Sequence, residues 1–183
     1  LTTGKFFYSE NGQQKEIIPH PDFRLFATAN PESYSQRQRL SEVFLSRWKI
    51  YYQKELSESE IAEILSSLFQ IPASLALLIA RFHKTVEKQS QARLIGKEEK
   101  DPYIYSLRDI LRLGKRLKNK DLNSLKDLFL ELYIVYLARI RNKTERDALI
   151  ASLDAHFGFR AKGLKLKEII EEQKENLDLK IEE

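Results

Sequence analysis

The sequence predicts a mainly α-helical protein with a small β portion at its N-terminus. Three observations carry this. Strand-like runs are confined to the first 30 of 183 residues. From Ser41 onward, apolar residues recur at helical spacing almost without a break. Helix-capping signals punctuate that stretch, with Ser57 and Ser106 opening helices and Gly158 closing one.

The β portion reads as a hairpin followed by a third run. Lys5 to Ser9 is aromatic-rich and Gln14 to Ile18 resumes the pattern, with Asn11-Gly12 between them. Asn-Gly between two such runs is a strong short-range hairpin signal. Phe23 to Thr28 (FRLFAT) is more apolar and predicts a strand buried in a parallel sheet. Three short strands make no stable sheet alone, so its remainder is expected from sequence outside this chain. The absence of methionine, even at position 1, adds to the expectation of a piece from a longer protein.

The helices follow in order. LSEVFLSR ends at Arg47, with Val43 and Phe44 available for a core. Ser57 with Glu60 three residues on forms a capping box, and Ile61, Ile64, Leu65 and Leu68 supply the apolar face. Pro72 restarts a helix from about 73 to 88, and 89 to 103 reads as a polar loop. Ser106 caps the next helix, with Asp109 at its third position. One long helix is predicted from Asn123 to Arg141 and another from Thr144 to Phe157. The charged tail from Gly163 has few apolar anchors and predicts a connector or surface helix.

Composition excludes several classes. With 42% hydrophobic and 32% charged residues the chain can build a core and stay in water. A net charge of +4 and a pI near 9.1 are too mild to argue nucleic-acid binding unaided. No cysteine is present, which removes disulfides and thiolate metal sites. The run Leu132 to Ala138 is far too short to cross a bilayer, and no signal-peptide pattern opens the chain. His20, His83 and His156 are scattered without zinc spacing; the last two lie on helices as surface or packing residues.

Three positions are candidates for chemistry. Asn30 directly follows the apolar run, where α/β folds bind ligands, and an amide there can orient water toward a phosphate. It also reads as an Asn that merely begins the turn before Pro31. Arg47 ends its helix, where a cation is favourable against the helix dipole or can reach a neighbouring phosphate. Arg108 stands in a first helical turn, where the dipole disfavours a cation. It shares one face with Arg112, Lys115 and Arg116, a face that serves phosphate, a neighbouring protein module or RNA, or is simply solvated.

The stretch His20 to Trp48 (HPDFRLFATANPESYSQRQRLSEVFLSRW) resembles the AAA+ class and, within it, the midasin family. SLRDILR at 106–112 is similar to that family's segment opening the lid helix. The resemblance implies that residues 1–56 are the C-terminal part of an AAA+ α/β core. Residues 57–158 would then be its helical lid and 159–183 a connector. It implies sensor 1 at Asn30, an arginine finger acting in trans at Arg47, and sensor 2 at Arg108, with Arg112 a weaker phosphate contact. Two departures stand out. Family loops carrying Gly-Gly-Arg-Lys are replaced by Ser35-Gln36-Arg37-Gln38-Arg39, and the Arg-Phe ending by Arg47-Trp48.

The resemblance further implies ATP and Mg²⁺ as cofactors of the longer protein and adjacent AAA+ modules of one ring as partners. Work on precursors of the large ribosomal subunit and their assembly factors, in the nucleus, is implied too. Direct RNA contact is possible but unsupported at this level, and no membrane partner is expected. GxxxxGK[ST], whose amides and lysine would cradle phosphates, does not occur. The chain alone is therefore expected neither to bind ATP tightly nor to hydrolyse it. Another chaperone of the MoxR or von Willebrand A-associated type, or a non-hydrolysing AAA+ scaffold, fits the same residues.

Overall fold

Ser57 and Ser106 begin helices by the same device. In the computed structural model, which describes residues 6–10, 12–29, 41–100 and 103–178, each serine hydroxyl accepts from an amide of the first turn. Each serine amide in turn donates to a carboxylate three residues on, 2.8 Å to Glu60 and 2.9 Å to Asp109. Such a cap satisfies amides that helix geometry leaves without partners and is worth ~1 kcal/mol.

The chain divides into two compact units, Leu1–Lys54 and Glu55–Glu183. In the first, β1 (Phe6–Glu10) and β2 (Gln13–Ile17) pair antiparallel, in register from Phe6 opposite Ile17 to Glu10 opposite Gln13. Gly12, at φ 75°, supplies the left-handed backbone their tight connection requires. All of β2 is exposed. A single-turn helix, α1 (Glu42–Leu45), is capped by Ser41.

Two expectations for this unit are corrected. Residues 23–28 form no strand, and Phe23, Leu25 and Phe26 are 47%, 49% and 88% exposed. A parallel strand exists through hydrogen bonds to neighbours on its flanks. Among the described residues the sheet is only the β1–β2 pair. The helix leading to Arg47 is also shorter than predicted, and Val43 and Phe44 are exposed rather than in a core. Phe44 packs on Trp48 instead, with ring centroids 5.8 Å apart.

The second unit is all helical: α2 (Glu58–Phe69), α3 (Ala73–Gln91), α4 (Leu107–Leu117), α5 (Leu125–Leu132), α6 (Lys143–Phe157) and α7 (Leu166–Asp178). Helix α2 packs against α3 and α4; α4 also meets α5, and α6 meets α3. Leu65, Ile79, Phe82, Ile110, Leu113 and Phe129 are fully buried where these faces converge. Gly114 marks the closest approach of α4 to α2: a Cβ there would overlap the Phe69 ring. Gln70 and Gly158 end α2 and α6 in the left-handed conformation.

The long helix predicted over 123–141 is instead α5 continued by a π-helical turn, Tyr133–Leu137, in which the Ala138 amide donates to the Tyr133 carbonyl. The wider turn buries Val135, Tyr136 and Leu137 in succession, which a regular α-helix on a flat core does not do. The tail forms a mostly exposed helix, as expected of a surface helix, but its start is tied to the core. Phe159 returns to the core and stacks on Phe157 at 5.3 Å. Leu166 and Ile169 are buried, and α7 packs on α5 with Lys126 2.8 Å from Glu172. Residues 159–178 thus belong to the second unit rather than forming a separate connector.

Candidate functional site

The start of α4 is fixed from several directions. The loop before it is tied to α3 by the Ser90 hydroxyl, which donates to the Tyr103 carbonyl. It is tied to α6 by Glu145, which accepts from the Gly96 amide at 2.7 Å and the Lys97 amide at 3.1 Å. This delivers Tyr105 into the core, where its hydroxyl donates to the Tyr136 carbonyl at 2.9 Å. The two rings stack at 5.8 Å, and the Tyr136 hydroxyl lies 3.0 Å from His83 Nδ1.

Asp109 links this polar set to the helix end. One oxygen accepts from the Ser106 amide and the other lies 3.6 Å from Arg139 Nη2. The Arg139 guanidinium carbon in turn lies over Tyr105, 3.8 Å from the ring centre. Its Nε and Nη2 make no hydrogen bond among the described residues, so charge and the ring face hold it. Burial pushes the Tyr136 hydroxyl far above the ordinary tyrosine range and raises Tyr105, with Asp109 adding to both. Burial also holds His83 below the ordinary histidine range.

Outward from this buried set, α4 presents a basic face. Arg108, Arg112, Lys115 and Arg116 are all exposed. Arg116 pairs with Glu131, a carboxylate only 4% exposed, and Lys120 approaches the same carboxylate at 3.7 Å. Arg116 is therefore occupied in joining α4 to α5. Arg108, Arg112 and Lys115 have no side-chain partner among the described residues.

The structure thus brings Arg108 and Arg112 together, one turn apart on a helix whose first turn is anchored. Arg47 is exposed in the turn after α1, in the first unit. Asn30, Arg37 and Arg39 lie outside the described residues. Among the described residues no group of three or more histidine, aspartate or glutamate side chains could hold a metal ion, and no helix is long and apolar enough to cross a membrane. Sequence reading missed Arg139, Tyr105, Tyr136 and Glu131 as participants; the one available signal was a buried-looking tyrosine directly before a capping serine. His83 and His156 are packing residues as expected, His156 lying against Phe82 at 5.6 Å.

The family model for the midasin AAA lid domain matches residues 60–160, over half of the chain, and the chain belongs to that family. It is 28% identical over 147 residues to midasin of Dictyostelium discoideum, covering 78% of this chain and 2% of that protein. The chain therefore spans about 2% of the length of the curated relative it matches. No solved structure matches it.

Proposed function

We propose that this chain is the lid-bearing part of a module in a midasin-type AAA+ ring ATPase. One observation carries the reading: the family match over residues 60–160 encloses an unpaired Arg108 on the anchored first turn of α4. An arginine so placed has a helix end working against it and no side-chain partner among the described residues, and a phosphate oxygen is a ligand its planar fork suits. Arg108 reports the phosphate state of bound ATP to the lid, with Arg112 one turn behind it. Asn30 orients the attacking water, and Arg47 reaches the nucleotide of the adjacent module. Fingers of this kind are worth ~10³ to 10⁵ in rate.

The residues present fit the phosphates of ATP through these cations; the grip on Mg²⁺ is assigned to other parts of the longer protein. Bound there, ATP and Mg²⁺ supply the phosphoryl group and neutralise its developing charge. The ring's work in this reading is the remodelling of large-subunit ribosomal precursors and the release of assembly factors in the nucleus, as the resemblance implies. The isolated chain neither binds ATP tightly nor hydrolyses it. Calorimetry with the isolated chain should therefore show no saturable ATP binding at micromolar concentrations. In the ring protein, Arg47→Ala should slow hydrolysis while leaving nucleotide binding intact; unchanged hydrolysis would exclude the finger.

A further inference from the structure

Two short segments of this chain are strongly basic, 108–120 and 160–167, and the first lies on α4. Residues 108–120 hold six cations (Arg108, Arg112, Lys115, Arg116, Lys118, Lys120) and one acid, Asp109, a local +5 in a chain of net +4. The rest of the chain nets −1, the four cations of 160–167 being offset by acids elsewhere. Asp109 is 5% exposed and turned inward to Ser106 and Arg139, so it does not neutralise the outer face. Glu131 engages Arg116 and Lys120 alone. Arg112, Lys115 and Lys118 remain exposed with no side-chain partner among the described residues.

The fold gives limited reason for this. A cation in the last turn gains about 0.3–1 kcal/mol from the helix dipole, which covers Lys115 and Lys118 but not Arg112. Against that gain, Arg112 has like-charged, unpartnered neighbours at positions 108 and 115, one turn away on either side, which repel it. The stripe runs ~9 Å along the axis from position 112 to 118 at the rise of an α-helix.

We infer that Arg112, Lys115 and Lys118 form a docking stripe for the phosphate backbone of a nucleic-acid duplex. The partner follows from what the stripe lacks. Helix α4 contains no aromatic residue, and its large exposed apolar side chain is Leu107, at the opposite end from Lys118. A protein interface needs a desolvated apolar or aromatic centre, and single-stranded nucleic acid needs aromatic stacking platforms. A duplex backbone needs only spaced cations. Arg112 is shared with the weaker phosphate contact proposed above, while Lys115 and Lys118 belong to the stripe alone; duplex binding by the isolated chain, without ATP, tests the stripe apart from that reading.

The test is fluorescence anisotropy of the full chain with a labelled RNA duplex of about 20 base pairs, in about 50 mM salt. Saturable binding is expected, with log affinity falling on log salt at a slope of about −3 for three phosphate contacts. The triple variant Arg112→Glu/Lys115→Glu/Lys118→Glu should lose tenfold or more in affinity. A control of equal charge change, Lys88→Glu/Lys143→Glu/Lys167→Glu, should lose far less. Should the first variant unfold by circular dichroism, Arg112→Gln/Lys115→Gln/Lys118→Gln replaces it, with the same direction expected. Absence of saturable binding, equal losses in the stripe and control variants, or tighter binding to a polyglutamate peptide than to the duplex would each overturn the assignment.

Discussion

The Arg139 guanidinium lies 3.8 Å from the centre of the Tyr105 ring. That contact joins the end of the π-helical turn to the residue just before the cap of α4. Because Arg139 also faces Asp109, it is the cation nearest a carboxylate that water barely reaches. Arg139→Ala leaves that carboxylate buried with the Ser106 amide alone, and should destabilise the protein by about 2 kcal/mol, less than a fully buried pair because Arg139 is one-third exposed. Arg139→Lys keeps the charge, loses the broad guanidinium contact with the Tyr105 ring, and should fall between. Urea unfolding midpoints check both.

Gly114→Ala raises helix propensity by about 1 kcal/mol and on that ground should stabilise α4. The structure predicts the opposite sign. The new Cβ would stand 2.7 Å from Phe69 Cγ, and overpacking of this kind costs about 1–3 kcal/mol. The net effect should be a loss, recovered in part by Phe69→Leu in the same chain. A double-mutant cycle measures the coupling; additive losses would mean that the two helices do not meet there.

His83 makes the fold sensitive to acid. Its ring is buried and its pKa is lowered from 6.5, chiefly by burial. Glu87 and Asp109 oppose the shift, while Lys84 and Arg139 add to it. The unfolded chain therefore binds a proton that the folded chain refuses. The stabilisation is complete above the unfolded value and is lost as pH falls toward the folded one. Between about pH 7.5 and 5.5, His83→Gln should lose less stability than the parent, since its side chain does not titrate. Parallel pH profiles for the two proteins would contradict this.

Hydrogen exchange should separate the two units. A two-stranded hairpin with an exposed β2 has little beyond its own ladder to hold it. Amides of residues 6–17 should exchange orders of magnitude faster than those of α2, α3 and α4, which share the buried core.

Local chemistry was the legible part of this chain. Ser57 with Glu60 and Ser106 with Asp109 announce helix starts because a cap is made within four residues. Gly158 announces an end for the same reason. The strand expected over 23–28 was misread because an apolar run becomes a strand only through neighbours, which the run itself does not specify. Arg139 was invisible because its partners, Asp109 and Tyr105, lie thirty or more positions away and are reached only after the π-helical turn sets its direction. Arg116 looked like one more member of a free basic face until Glu131, distant in sequence, came to lie beneath it. Arg108 stood out from the start for the opposite reason: a cation in a first turn is anomalous wherever the rest of the chain goes.

The most direct test of the account is ATP hydrolysis by the ring protein that carries this segment, comparing Arg108→Ala with the parent and with Lys143→Ala as an exposed-cation control. Loss of one charged contact made in the transition state predicts a fall of about tenfold or more for the Arg108 variant, with the control unchanged. Hydrolysis at the parental rate in the Arg108 variant, with the ring assembled, would contradict a phosphate-sensing lid and leave the unit a scaffold.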